Sequence, residues 1–157
     1  MAKTGSNTAA KSPETLVGEN RKARFQYEIL ETVEAGLVLR GTEVKVLRAG
    51  KLSLDEAYAR LERGELWLLG ANIPEYSHGN AMNHEPKRRR KCLVHARELK
   101  KLREKSLVKG LTLVPLRVYF GARGFAKVTI AVARGRKLHD KRQHLKDKEA
   151  KKEIRQG

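Results

Sequence analysis

A chain of 157 residues in which 35 Lys and Arg stand against 18 Asp and Glu carries a net charge of +17. Self-repulsion of that size favours a densely negative partner, so nucleic acid is the first candidate. The length allows one ordinary domain with flexible ends, and no stretch approaches the roughly 20 apolar residues of a membrane span. The lone Cys92 excludes an internal disulfide, and residues 1–19 lack the apolar run of a secretory signal. The reading is of a soluble, cytoplasmic, monomeric protein with no membrane partner.

In chain order, residues 1–19 are rich in Lys, Ser, Thr, Asn, Ala and Gly without periodicity and are expected to be a disordered arm. Phe25, Tyr27 and Ile29 alternate with Gln26, Glu28 and Leu30, the period of a half-buried strand. Glu34-Ala35-Gly36 offers a turn, and Leu37-Val38-Leu39 a second strand ending at Gly41. Thr42 is the expected N-cap of a short helix with Val44 and Leu47 inward and Gly50 just past its end. Residues 58–63 and 65–73, parted by Gly64, read as two more strands, the second carrying the only tryptophan, Trp67. Residues 75–86 form a loop by composition and lead into Lys87-Arg88-Arg89-Arg90-Lys91.

Ala96, Leu99 and Leu102 then recur at helical spacing, with Gly110 as the stop. Two clear strands follow. Thr112, Val114, Leu116, Val118 and Phe120 share one face of the first; Ala126, Val128, Ile130 and Val132 share one face of the second, across the turn at Gly121-Ala122-Arg123-Gly124. About six strands with short helices predict a mainly β protein, a small antiparallel OB-like barrel over residues 20–134. Residues 20–133 hold 23 basic and 12 acidic side chains, whereas residues 134–157 hold ten and four, so the short tail is the more densely positive part. With only Leu145, Ala150 and Ile154 as apolar points, the tail is expected to be disordered when free and helical against its polyanion.

The run at residues 87–91, beside Arg21, Lys22 and Arg24, reads as a phosphate contact rather than a solvated loop. Arg123-Gly124-Phe125-Ala126-Lys127-Val128-Thr129-Ile130 nearly copies an RNA-recognition-motif signature, but Lys127 and Ile130 stand where that pattern stacks rings, so the match is taken as chance. The spacing of Gly121 and Gly124 imitates a KH loop with strands where helices belong. His78, His84, Cys92 and His95 match no standard zinc spacing, and no nucleophile triad or phosphate loop is present, so neither a metal, a cofactor nor catalysis is expected. Glu34 and Glu43 are acids on a basic background, read either as ion-pair partners of Lys45 or Arg21 or as acceptors for base or sugar donors of an RNA.

Several segments in order resemble one family: Asn20-Arg21-Lys22-Ala23-Arg24, Glu34-Ala35-Gly36, Gly41-Thr42-Glu43-Val44-Lys45, Leu47-Arg48-Ala49-Gly50-Lys51, Ala71-Asn72-Ile73, Pro86-Lys87-Arg88-Arg89-Arg90-Lys91 and Gly135-Arg136-Lys137-Leu138-His139-Asp140-Lys141-Arg142. The chain resembles small protein B, the SsrA-binding protein family, from about Asn20 to the end; Cys92 and Val46 stand where many relatives carry Leu and Ser. The resemblance implies a six-stranded OB-like barrel that binds the tRNA-like domain of transfer-messenger RNA and delivers it to stalled ribosomes. It places Asn20, Lys22, Glu34, Glu43, Lys45 and Leu93, with Arg88, Arg89, Arg90 and Lys91, on the RNA face. It sends Lys137, His139, Asp140, Lys141 and Arg142 to small-subunit RNA at the decoding centre, with His139 stacking on a base and Ile154 marking the distal tail. Competing readings are a constitutive rRNA-binding ribosomal or assembly protein and, less favoured, a nuclease or RNA-modifying enzyme.

Overall fold

Strand alternation becomes structure where both edges of a strand find partners, and in this chain six strands do so in a ring. The computed structural model describes residues 14–78 and 82–136, with Lys146 and Lys148 in the tail. The elements are β1 (Thr15–Glu19), α1 (Ala23–Gln26), β2 (Tyr27–Leu37), α2 (Gly41–Arg48), β3 (Tyr58–Glu62), β4 (Glu65–Leu69), β5 (Arg90–Leu93), α3 (Ala96–Ser106), β6 (Leu111–Phe120) and β7 (Ala126–Gly135). All strand pairs are antiparallel; β6, β3, β4, β5, β2 and β7 follow one another, and β7 pairs back onto β6 to close the barrel. Closure leaves these six strands without the open edges that would otherwise template aggregation.

The expected barrel stands, with local corrections, among them the N-cap of α2, which is Arg40 and not Thr42. Residues 15–19 are not part of a disordered arm: β1 pairs with Arg117–Phe120 of β6, prolonging the edge that β3 reaches only at Leu113. That waiting edge supplies the order that the sequence of β1, two apolar residues beside a glycine, does not announce. Phe25 lies in the single helical turn α1 rather than in a strand. Glu34-Ala35-Gly36 is not a turn, because β2 runs straight through it with Gly36 paired to Lys127 on one side and Leu93 on the other; ladders on both edges override a local turn composition. The strand expected to reach Ile73 stops at Leu69, since Gly70 has φ +75° and a Cβ there would stand 2.5 Å from the Glu56 carbonyl oxygen.

The interior is apolar, filled by Leu66 and Leu68 of β4, Val128, Ile130 and Val132 of β7, and Val46 and Leu47 of α2. α3 is anchored by Leu102, which is fully buried. On β6 the register shifts between Pro115 and Arg117, so the expected single face divides. Val118 and Phe120 enter the main core, while Val114 and Leu116 join Ala23, Ala131 and Ala133 in a second apolar cluster. Tyr27 and Ile29 pack partly against that second cluster. Proline has no N–H to give a ladder, which makes Pro115 a natural site for the bulge. Asn20 seals it, donating from its side-chain amide to the Pro115 carbonyl at 3.1 Å and from its N–H to the Leu116 carbonyl at 2.7 Å.

Candidate nucleic-acid interface

Where β2 leaves β7 and takes up β5, the surface sinks into a groove of about 300 Å³. Its lining comes from Glu34, Ala35 and Gly36 of β2, Leu93 at the end of β5, Val94 and His95 beyond it, Glu98 in the first turn of α3, and Lys127 of β7. Strand alternation sets the outward members: Ala35 and Cys92 point inward, so Glu34 and Leu93 point out, and Leu93 is 54% exposed. Lys127 lies outward between the buried Ala126 and Val128.

The Glu34 carboxylate is oriented from one side. Its Oε1 accepts from the Thr129 hydroxyl at 2.8 Å and from the Tyr119 hydroxyl. Thr129 in turn accepts from Arg117 Nε at 3.3 Å, and the Arg117 guanidinium lies 4.5 Å from the centre of the Tyr119 ring. Burial, then the hydrogen bond to Glu34 and the charge on that carboxylate, pushes the Tyr119 phenol well above its ordinary value, so it remains a donor. Both hydroxyls converge on one oxygen, and the other has no protein donor among the described residues. An oriented carboxylate beside an exposed leucine, a lysine and a glycine backbone can accept from base or ribose donors, support a base face and meet a phosphate.

Glu43, the second acid singled out by the sequence, has the opposite surroundings. It is fully buried, and its oxygens accept from Arg88 Nη2 at 2.6 Å, Arg90 Nε at 2.7 Å, Arg88 Nε at 3.3 Å and the Arg40 N–H at 2.8 Å. Burial alone would raise this carboxyl, but the hydrogen bonds from Arg88, the Arg40 N–H and Arg90, with the charge of Arg90, together hold it below the usual carboxylate range. Arg90 is also fully buried and donates onward to the carbonyls of Ala71 at 2.7 Å and Pro86 at 3.0 Å. Beside this hub, buried His84 bridges the Thr42 hydroxyl and the Ile73 carbonyl, each at 2.8 Å. Thr42 therefore grips His84, while Glu43 closes the first turn of α2 onto Arg40.

The residues expected on one RNA face are thus divided. Asn20, Glu43 and Arg90 are buried with their polar groups engaged inside the fold, so these three shape the surface from beneath. Arg88 is mostly covered by its bond to Glu43, and Lys91 pairs with Glu65. Lys22 and Lys45 are exposed, the latter 5.2 Å from the Tyr76 ring centre. Only Glu34 and Leu93 meet in the groove. Lys127, the groove's cation, is not among the residues that the resemblance places on the RNA face; its signal in the sequence is alternation along β7, a cation between the inward Ala126 and Val128. Burial pushes the Cys92 thiol up to about 12 and both His84 nitrogens are engaged, so neither is free to ligate a metal. Lys137, His139, Asp140, Lys141, Arg142 and Ile154 lie outside the described residues. Lys146 and Lys148 are helical and exposed, and the rest of the tail, on which the expected change from disorder to helix turns, lies outside the described residues.

Closed barrel, cationic surface and polar groove define a class, the small basic proteins built on an OB-like barrel. The chain belongs to the SmpB family, whose model, described as SmpB protein, matches residues 17–157. The SsrA-binding protein of Chelativorans sp. (strain BNC1) is 54% identical over 135 residues, 86% of this chain and 87% of that one. The SsrA-binding protein of Desulforudis audaxviator (strain MP104C) is 55% identical over 145 residues, 92% of this chain and 94% of that one. Among solved structures, a chain from "tmRNA-SmpB: a journey to the center of the bacterial ribosome" superposes with a TM-score of 0.67 at 50% identity, covering 82% of this chain and 93% of that one.

Proposed function

We propose that this protein is an RNA-binding adaptor of trans-translation: it holds the tRNA-like domain of transfer-messenger RNA and delivers it to ribosomes stalled on broken messages. The observation that carries the reading is the family match, which spans both the barrel and the basic tail. The groove fits it, with Glu34 as acceptor, Leu93 as platform and Lys127 as phosphate contact, and with Lys22 and Lys45 as further exposed cations. The protein acts by binding and not as an enzyme, in the cytoplasm and as a monomer. The relatives named above are SsrA-binding proteins, which sets aside the constitutive ribosomal reading.

On this reading the tail is the ribosomal half of the adaptor. Lys137, Lys141 and Arg142 neutralise small-subunit RNA at the decoding centre, His139 stacks on a base, Asp140 accepts from a donor there, and Ile154 lies farther along the empty mRNA channel. A cut after Arg136 separates the halves cleanly, because the Arg136 N–H donates to the Gln26 carbonyl at 2.9 Å and its Nε to the Tyr27 carbonyl at 3.2 Å, fixing that residue to the barrel. Chains ending at Arg136 are expected to bind the tRNA-like RNA with near-parental affinity and to lose tagging on stalled ribosomes. Loss of RNA binding on this truncation overturns the two-part mechanism.

A further inference from the structure

The groove accounts for the start of α3 and leaves the rest of that helix unexplained. Leu102 is its one fully buried residue, and Leu99 packs partly on the core. The other positions carry five cations, Arg97, Lys100, Lys101, Arg103 and Lys105, against Glu98 and Glu104. At ~100° per residue, Arg97, Lys100, Lys101 and Lys105 fall within an arc of about 140° on the side away from the apolar pair. Glu98 turns back to the His95 N–H at 3.3 Å, and Lys101 reaches Glu31 at 3.6 Å. The side chains of Arg97, Lys100 and Lys105 have no hydrogen bond or ion pair among the described residues.

This arrangement works against the helix. Arg97 and Lys100, Lys100 and Arg103, Arg97 and Lys101, and Lys101 and Lys105 are like charges at the i,i+3 and i,i+4 spacings where side chains meet. Arg97 also stands in the first turn, at the positive end of the helix dipole. Among the described residues only Glu31, 3.6 Å from Lys101, and the helix's own Glu98 and Glu104 offset part of this repulsion, and a polyanion laid on the same face would relieve the rest. The arc holds no large apolar side chain, and the apolar pair faces the barrel, so the helix has no face with which to enter a lipid surface.

We propose that the exposed face of α3 is a second phosphate-contact surface, along which the sugar-phosphate backbone of the RNA seated in the groove continues. The proposal rests on the groove reading above. Continuity supports it: His95 and Glu98 line the groove, so a strand leaving it meets Arg97 and Lys101 within the same turn. The helix is about 16 Å long, and at roughly one phosphate per 3.4 Å of duplex strand it faces about four or five of them. Phosphate contacts of this kind fix register without reading bases, so the face sets how the RNA lies while the groove sets what is held.

The test is the triple variant Arg97→Gln, Lys100→Gln, Lys105→Gln in the full chain. All three positions are exposed, and glutamine has nearly the helix propensity of lysine and arginine, so the fold is retained, as circular dichroism checks. Binding to a transcript of the tRNA-like domain is measured over a series of salt concentrations. The slope of log affinity against log salt is expected to become shallower by about 2 to 3, at roughly 0.7–0.9 per lost contact. A control of equal net charge, Lys51→Gln, Arg63→Gln, Arg123→Gln, is expected to change it by much less. A parental slope in the first variant, an equal change in the control, or a defect seen only on ribosomes and not with the isolated RNA overturns the proposal. Glu34→Gln with Leu93→Ala, run in parallel, tests the groove separately: parental binding there defeats the groove reading whatever the helix variant shows.

Discussion

Glu34 and Glu43 are two carboxylates on one barrel, nine positions apart in the sequence, and they do opposite things. Glu43 is buried with two arginines and a backbone N–H closed around it; Glu34 lies on the outer face with two hydroxyls on a single oxygen. The first has its acceptor capacity filled by the protein, and the second keeps part of it for something else. Charge therefore marks neither as functional; the count of donors already engaged does. The same test separates Arg90, with donors given to Glu43 and three backbone carbonyls, from Lys127 at the groove.

The largest effect should come from opening the hub. Glu43→Gln leaves Arg90 buried without its counter-charge, which costs about 3–5 kcal/mol, or roughly 10–15 °C in Tm for a chain of this size. RNA affinity measured where the variant is still folded should remain near parental, because Glu43 has no exposed surface to offer. The pH dependence gives a second readout. The folded Glu43 carboxyl lies below its ordinary value of 4.5, so its stabilising contribution is complete above that value and is lost as pH falls through the lower, folded one. Thermal melts of the parent should therefore weaken below about pH 4.5, and the Gln variant should lack that component. A fully stable Glu43→Gln with weakened RNA binding would reverse the roles assigned here.

Glu34→Gln is the converse. It removes one charge-assisted acceptor at the surface, so RNA affinity should fall by roughly 10- to 100-fold, the equivalent of about 1.5–3 kcal/mol for a hydrogen bond to a charged group. The melting temperature should move little, since a glutamine oxygen still accepts from Thr129 and Tyr119. Unchanged affinity in a filter-binding titration would remove Glu34 from the interface.

How much of this was legible depends on whether the relevant signal was apolar. The strand at residues 58–62 shows itself by alternation, Ala59 and Leu61 between Tyr58, Arg60 and Glu62, and those at 65–69 and 126–135 as apolar runs that start just after Gly64 and Gly124. The run Arg88-Arg89-Arg90-Lys91 hid the same alternation: Arg90 points in and its neighbours point out, but all four are basic, so hydropathy has no period to report. Burial of Arg90 is decided by an acid 47 positions earlier, a pairing no local window contains. Gly36 misled in the other direction, as a turn residue by composition that serves as the floor between two ladders. Family resemblance proposes a set of residues; only packing separates those that touch solvent from those that do not.

Gly36→Ala gives the smallest expected effect and the sharpest view of that floor. A Cβ there would meet the Leu93 Cβ at 3.7 Å and the Leu93 carbonyl oxygen at 3.9 Å, ordinary contacts in a strand whose backbone any residue can adopt. The substitution should therefore leave stability unchanged or raise it by up to about 1 kcal/mol, since alanine has less freedom to lose on folding. The added methyl nevertheless stands between Glu34, Leu93 and Lys127, where a base or ribose would approach the backbone. A few-fold loss of RNA affinity without loss of Tm would show that the groove floor is in contact with the RNA. Parental affinity would mean that the RNA rests on the rim formed by Leu93 and Lys127 and never reaches the backbone.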